Sequence, residues 1–332
     1  MTVINRNRDP FGFLFGDGSD GNLVVSSNTN LPSTLNGAIV EKMYMDLTIN
    51  AGNILSVANP CKGLILRVRG VLTLNGTISM SSKACAVPGG GSDLFIHYND
   101  IKIPVVGAPG GASPGAGNVA GLPGTNGTDG KCGGGGSGAS SRNTADGTMD
   151  SIGAGGSAGY VAGGGQAGGG GSTGYESWHE ILYRAAWNAK TVKPYGQGWE
   201  AGGGDPDNGR GGWVQNGYQY DDGDFTSRNG RGGEGGIRGG GILIVIANRI
   251  VGTGSMITKG DNGTASLGSG DRGEGGGAGG GSIVVFYGTN AFTGSMTAPG
   301  GNPSTGGRAG GKGGDGSVRD WSLVELASHT RI

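Results

Sequence analysis

The sequence has too few apolar residues for a conventional enzyme fold of its length. Hydrophobic residues make up 34% and aromatic residues 6% of the 332 positions, whereas close to half apolar content is usual in a globular domain. Glycine loses more backbone freedom on folding than any other residue. The 81 glycines therefore predict either flexible linker or an ordered structure held by dense backbone pairing.

Clustered charge, a long apolar run and an export signal are also missing. The net charge is −1 and the charged residues are scattered, so we expect no nucleic acid as a partner. The longest apolar run, Ile242 to Ala247, is far shorter than the ~20 residues of a membrane-spanning helix, so we expect no membrane insertion. Because Met1 to Arg6 leads into no hydrophobic segment, we expect folding in a cytoplasm.

The residue types that carry catalysis or bind metals are sparse. The spacing of Cys61, Cys85 and Cys132 fits neither a disulfide framework nor a zinc site, so we predict free thiols. His179 begins a segment like the zinc-protease helix, but Tyr183 stands where the second histidine ligand belongs. We therefore predict no catalytic residue, no metal, no cofactor and no enzyme activity.

Glycine recurs at every third position in four tracts. These tracts cover residues 121–133, 230–239, 270–279 and 307–316. A period of three matches a polyproline II helix, which makes no internal hydrogen bonds. A bare glycine edge would let such helices approach closely enough for backbone hydrogen bonds between them. The tracts therefore predict packed polyglycine helices.

Three units of β-forming residues adjoin these tracts. They begin at Gly63, Gly241 and Gly281, and each reaches a second glycine thirteen positions later. Each unit is typical of a strand, a glycine turn and a shorter strand, arranged as a hairpin or as a corner of a stacked sheet. We predict a mainly β fold in which short strands alternate with polyglycine helices in a sandwich or solenoid, beside a small N-terminal β domain.

Five regions follow from this pattern. They are an N-terminal leader or attachment segment (1–22), a small β domain (23–106), glycine-rich helices (107–171), an aromatic-rich insertion (172–229), and alternating glycine helices and β units that end in a cap strand (230–332). The leader contains Phe11, Phe13 and Phe15. We predict that these rings attach the chain to another protein, with packing under the chain's own sheet as the alternative.

The aromatic-rich insertion contains most of the tryptophans. A glycine scaffold presents almost no side chains, so recognition is expected to fall to this insertion. Trp and Tyr offer rigid, flat surfaces that suit sugar rings or protein partners; the alternative is that they form the insertion's own small core. The predicted ligand- or receptor-binding residues are Tyr175, Trp178, Trp187, Trp199, Trp213, Tyr218 and Tyr220.

Units such as Gly281 to Met296, placed between glycine tracts and interrupted by an aromatic insertion, resemble a known family. They resemble the glycine-rich receptor-binding adhesins at the fibre tips of tailed bacteriophages. The resemblance implies stacked glycine helices over residues 230–332 and parts of 107–171, and a receptor-reading insertion at 172–229. The chain departs from the family in having one large insertion rather than several loops, and residues 1–106 match no attachment domain of the family.

The resemblance implies a virion structural protein, in a tail fibre or tail tip, that acts in host attachment and assembles in the host cytoplasm. Its implied partners are other virion proteins and a host surface protein or glycan. One alternative is a purely architectural fibre, baseplate or capsid decoration protein, for which we expect a homotrimer. Others are a secreted or wall-associated glycine-rich protein, and a tail-borne depolymerase using acidic pairs such as Asp205 and Asp207.

Overall fold

The computed structural model describes residues 14–84, 94–98, 101–105, 238–263, 276–304 and 310–323, with the short stretches 122–124, 126–127, 141–142, 150–151, 214–215 and 218–219. Across these residues the chain is built mainly of strands in parallel sheets, with almost no helix. The prediction of a mainly β protein is confirmed in this form.

The strands follow one another along the chain with the bounds given next. They are β1 (Leu23–Val25), β2 (Thr29–Leu31), β3 (Val40–Tyr44), β4 (Leu47–Ile49), β5 (Ile54–Val57), β6 (Leu64–Leu74), β7 (Thr77–Ser79), β8 (Leu94–Tyr98), β9 (Ile101–Val105), β10 (Ser141–Arg142), β11 (Asp150–Ser151), β12 (Val214–Gln215), β13 (Tyr218–Gln219), β14 (Ile242–Gly252), β15 (Ser255–Ile257), β16 (Ser282–Phe292), β17 (Ser295–Thr297) and β18 (Ser317–Ser322).

Two parallel sheets organise the described chain. The first sheet has seven strands in the order β1-β4-β6-β14-β16-β18, with β3 also paired to β6, and the second has five in the order β17-β15-β7-β5-β2. Every strand of the second sheet directly follows a strand of the first along the chain. The three predicted units are therefore corners between two sheets, and the hairpin alternative is wrong for them.

The three units stack on one another in register. Leu243 of β14 pairs with Leu64 of β6 and with Ile283 of β16. The short strands repeat this order, because Ser255 of β15 pairs with both Thr77 and Ser295. The pairing of β14 with β6 contains a register shift between Ala247 and Arg249, where β6 has one extra residue.

Strands from both ends of the chain share these sheets. β14 lies directly beside β6, although residues 85–237 come between them in the sequence. The strands of 23–84, which belong to the small β domain that we predicted over 23–106, therefore share their two sheets with β14 to β18. Further along the predicted domain, β8 and β9 pair with each other as an antiparallel hairpin.

Successive side chains of the central strands point to opposite faces of the first sheet, and both faces are buried. One apolar cluster contains Leu243 and Val245 of β14 together with Leu55 and Met256 of the second sheet, so it lies between the sheets. The residues that alternate with them belong to a second cluster on the opposite face: Ile242, Ile244, Ile246, Val284 and Phe286. Burial on both faces explains why β14 is a continuous run of apolar residues, as is usual in parallel sheets.

Backbone hydrogen bonds join the glycine tracts at every third residue. Gly277 N–H donates to Gly311 O at 2.9 Å, and Gly280 N–H donates to Gly314 O at 2.9 Å. Gly124 and Gly127 donate in the same way to Lys312 and Asp315, at 2.9 and 2.7 Å. Donors and acceptors both advance by three, which is the period found in the sequence.

The close approach of these tracts requires glycine. A Cβ atom built on Gly313 would lie 1.9 Å from the carbonyl oxygen of Ala278, and one on Gly280 would lie 2.0 Å from that of Ala298. Both neighbours are backbone atoms, which cannot turn aside as a side chain can. Glycine at these positions therefore serves packing rather than flexibility.

Candidate functional site

The predicted binding residues belong to the stretch of chain between β7 and β14. Among them, Tyr218 lies in β13, where it pairs with Gln215 of β12. The others, like Phe11 and Phe13 of the leader, lie outside the described residues: Tyr175, Trp178, Trp187, Trp199, Trp213 and Tyr220. The part of the candidate site with defined geometry is the place where this stretch joins the sheets.

We call residues 85–237 the excursion, residues 80–84 its exit and residues 238–241 its return. The exit and the return run side by side in opposite directions. Gly241 N–H donates to Met80 O at 2.7 Å, and Ala84 N–H donates to Gly239 O at 3.1 Å. The two ends of the excursion therefore lie about 5 Å apart, the usual spacing of paired chains.

The exit is also bound to the end of β15 and to the chain that follows it. Met80 N–H donates to Ile257 O and Ser82 N–H donates to Lys259 O, both at 2.9 Å. Lys259 N–H donates in return to the hydroxyl of Ser81 at 3.1 Å. Met80 is fully buried, whereas Ser81, Ser82 and Lys259 are half-buried, so the bond of Met80 is the one best shielded from competing water.

The return is bound to the next glycine tract. Gly240 N–H donates to Gly279 O at 3.0 Å, and Ser282 N–H donates to Gly241 O at 3.2 Å. A Cβ atom on Gly240 would lie 1.9 Å from the carbonyl oxygen of Thr258. The exit and the return thus form a fixed neck from which the excursion extends, and we use the word neck for these two segments.

We call the described residues 14–84, 238–263, 276–304 and 310–323 the scaffold. One part of the excursion packs on it. Residues 122–124 and 126–127 lie against the tract at 310–316, through the bonds of Gly124 and Gly127 given above. The side-chain carbonyl of Asn126 accepts a hydrogen bond from Asp315 N–H at 2.8 Å. Burial raises the pKa of Asp315, but hydrogen bonds from Lys312 and from Gly300 N–H outweigh it, so the pKa lies below its usual value.

The leader packs its last phenylalanine into the chain itself. Phe15 is 3% exposed and belongs to the second apolar cluster, with Phe286 and Leu323. Arg67 Nη1 donates to Leu14 O at 2.6 Å and so holds the segment on the first sheet. The position of Phe15 agrees with the alternative prediction, packing on the chain's own sheet. Attachment through Phe11 and Phe13 stays a prediction.

Phe15→Ala is expected to lower the free energy of unfolding by about 3 kcal/mol, because it opens a cavity beside the first sheet. Leu35→Ala is the control, since Leu35 is 53% exposed and its loss should change stability by less than about 0.5 kcal/mol. Urea denaturation of both variants measures the difference. Equal stability of the two variants would show that Phe15 contributes little to the core.

The described segments contain one cysteine and no metal-binding group of side chains. Cys61 is a free, buried thiol, as predicted, and burial raises its pKa; Cys85 and Cys132 lie outside the described residues. Across the described ranges no group of three or more His, Cys, Asp or Glu residues could hold a metal ion. No helix in the described parts of the chain is long and apolar enough to cross a membrane.

The neck was missed from the sequence, although one signal pointed to it. The second and third β units begin 40 positions apart, at residues 241 and 281, whereas the first begins at residue 63. Units of one kind at unequal spacing indicate that an extra segment has been inserted between neighbours.

No family model, curated protein or solved structure matches the chain.

Proposed function

We propose that this protein is a bacteriophage virion structural protein, a component of a tail fibre or tail tip, that binds a host receptor through the excursion. The observation that carries the proposal is the neck. It joins the two large sheets to a long segment that contains most of the tryptophans, and it brings both ends of that segment to one place. Recognition and support are thereby divided between two parts of one chain.

We also propose that the glycine tracts are polyglycine helices, stacked with the two sheets as a sandwich or solenoid. The hydrogen bonds at every third residue support this, because three residues make one turn of such a helix. The bonds also meet the backbone donors that a polyglycine helix cannot pair within itself. A scaffold of this kind would be stiff, because its packing contacts are made by backbone atoms.

The test of this function is competition for adsorption. Purified full-length protein, added to bacteria that the source phage infects, is expected to bind saturably and to slow the adsorption of intact phage. It is expected not to bind strains to which the phage cannot adsorb. Mass spectrometry of purified particles should find the chain among the virion proteins.

Each failure leads to a different conclusion. Absence of the chain from purified particles would overturn the virion assignment. Presence without competition would favour a purely architectural fibre, baseplate or decoration protein, and native mass spectrometry would then show whether the chain is a homotrimer. Release of oligosaccharides from host capsule or lipopolysaccharide would favour the depolymerase alternative.

A further inference from the structure

We infer that Asp261 is the positioning residue of the neck, because its single carboxylate holds both ends of the excursion. The inference goes beyond the proposed function, since it concerns how the excursion is held and not what it binds. Asp261 lies in the segment that follows β15, outside both the exit and the return. It therefore ties each end to the scaffold and not only to the other end.

The two oxygens of the carboxylate have different partners. Oδ1 accepts a hydrogen bond from the hydroxyl of Ser82 in the exit. Oδ2 accepts one from Arg238 N–H in the return, at 3.0 Å. Hydrogen bonds to an ionised acceptor are about twice as strong as bonds between neutral groups. One side chain thus fixes the last turn before the excursion and the first residue after it.

The backbone of Asp261 is held at the same point. Its N–H donates to Arg238 O at 2.8 Å, so Asp261 and Arg238 bond to each other twice. Its carbonyl oxygen accepts from Ala278 N–H at 2.9 Å, which links it to the next glycine tract. The carboxylate is therefore presented from a fixed backbone.

Ser82 shows why the exit needs this support. Its φ is +57°, in the left-handed region that costs a non-glycine residue roughly 1–2 kcal/mol. Such a conformation persists only where its surroundings hold it in place. Ser82 is held by its N–H bond to Lys259 O and by its hydroxyl bond to Asp261.

The chemistry of the two bonds makes the inference testable by substitution. An asparagine at position 261 could accept from Arg238 N–H through its oxygen and donate its amide N–H to the Ser82 hydroxyl, which can act as an acceptor. Asp261→Asn therefore keeps both contacts, whereas Asp261→Ala removes both. Ser82→Ala removes the exit bond alone.

Hydrogen exchange of the neck amides in the full-length protein tests the inference. Asp261→Ala is expected to speed exchange at Ser82 and Arg238 by about 100-fold, from the loss of two charge-assisted bonds. The amides of β6 and β14 should keep their rates, which a general loss of stability would not allow. Asp261→Asn should speed exchange at Ser82 and Arg238 by only about tenfold, because its two neutral bonds are about half as strong as those of the carboxylate.

Two further variants keep the inference falsifiable if Asp261→Ala does not fold. Ser82→Ala should speed exchange at Ser82 and leave Arg238 unchanged. Asp46→Ala is the matched control, because Asp46 Oδ1 accepts from Val71 N–H at 2.8 Å far from the neck in sequence, and it should leave the neck amides unchanged. Unaltered exchange in Asp261→Ala, or equal effects of Asp261→Asn and Asp261→Ala, would overturn the inference.

Discussion

Gly301→Ala is expected to prevent the scaffold from folding, although it adds a single methyl group. A Cβ atom at Gly301 would lie 1.7 Å from the carbonyl oxygen of Asp261 and 3.1 Å from the amide nitrogen of Ala278. Those two groups bond to each other at 2.9 Å, and Gly301 N–H donates to Ala278 O at 2.7 Å. Relief of the overlap would therefore break backbone hydrogen bonds in three adjoining segments.

The expected loss exceeds about 4 kcal/mol, a size that few single substitutions reach. It is comparable with the whole stability of many domains, about 5–15 kcal/mol. Gly52→Ala is the matched control, because a Cβ there meets nothing within 4 Å and only the φ of +80° is unfavourable. Its cost should be roughly 1–2 kcal/mol.

Soluble yield and urea denaturation of the two variants measure this prediction. Gly301→Ala should give little folded protein, whereas Gly52→Ala should fold and denature at a moderately lower urea concentration. If the two variants were equally stable, the tracts at 258–263, 276–281 and 298–302 would not be packed as closely as their hydrogen bonds indicate.

Removal of the excursion is expected to abolish binding to host cells while the scaffold still folds. The variant joins Ala84 to Arg238 through an Asn-Gly turn in place of residues 85–237. Such a turn suits two antiparallel chains, and Ala84 is already bonded to Gly239. A short loop also costs less closure entropy than a long one, so the neck should form at least as readily as before.

Circular dichroism and thermal denaturation of this variant test the scaffold, and the adsorption assay tests binding. A second variant that lacks only residues 175–226 is the control, because it keeps the tract at 122–127 and its bonds to Lys312 and Asp315. It too should lose binding. Binding by either variant would place receptor recognition on the scaffold, and an unfolded product of the larger excision would show that the neck depends on the excursion.

The sequence predicted the local repeats of this fold better than the pairing between distant segments. The thirteen-residue spacing identified β6, β14 and β16 as equivalent strands, because each is a run of β-branched and other apolar residues that ends at a glycine turn. The period of three identified the tracts whose backbones now pair. Both signals are short-range patterns of residue type.

Pairing between tracts could not be read in the same way. One glycine tract has the same surface as another, so nothing in residue type says that Gly277 pairs with Gly311 and not with a residue of a different tract. The strands of residues 23–84 were predicted to belong to a separate β domain for a related reason. Leu23, Leu47 and Leu72 stack in one row but have no glycine tracts between them, so composition made them look like another domain.

The candidate site, like the fold, could be predicted only in part from the sequence. Aromatic composition led us to predict the segment from Tyr175 to Tyr220 as the place for recognition. Asp261 could not be selected, because in the sequence it begins an ordinary Asp-Asn-Gly turn, and its partners Ser82 and Arg238 lie far away along the chain. A role that depends on two distant backbones becomes visible only when the fold brings them together.

The meeting of the excursion's two ends has a consequence for how such a chain can change over generations. A segment that leaves and re-enters at one point can vary in length without moving the strands on either side of that point. Recombination between the codons near Ala84 and Arg238 could therefore replace the whole excursion in one event and keep the strand pairs of the two large sheets, at the loss of the bonds that Gly124 and Gly127 make to the tract at 310–316. The neck would then act as the fixed boundary of an exchangeable cassette.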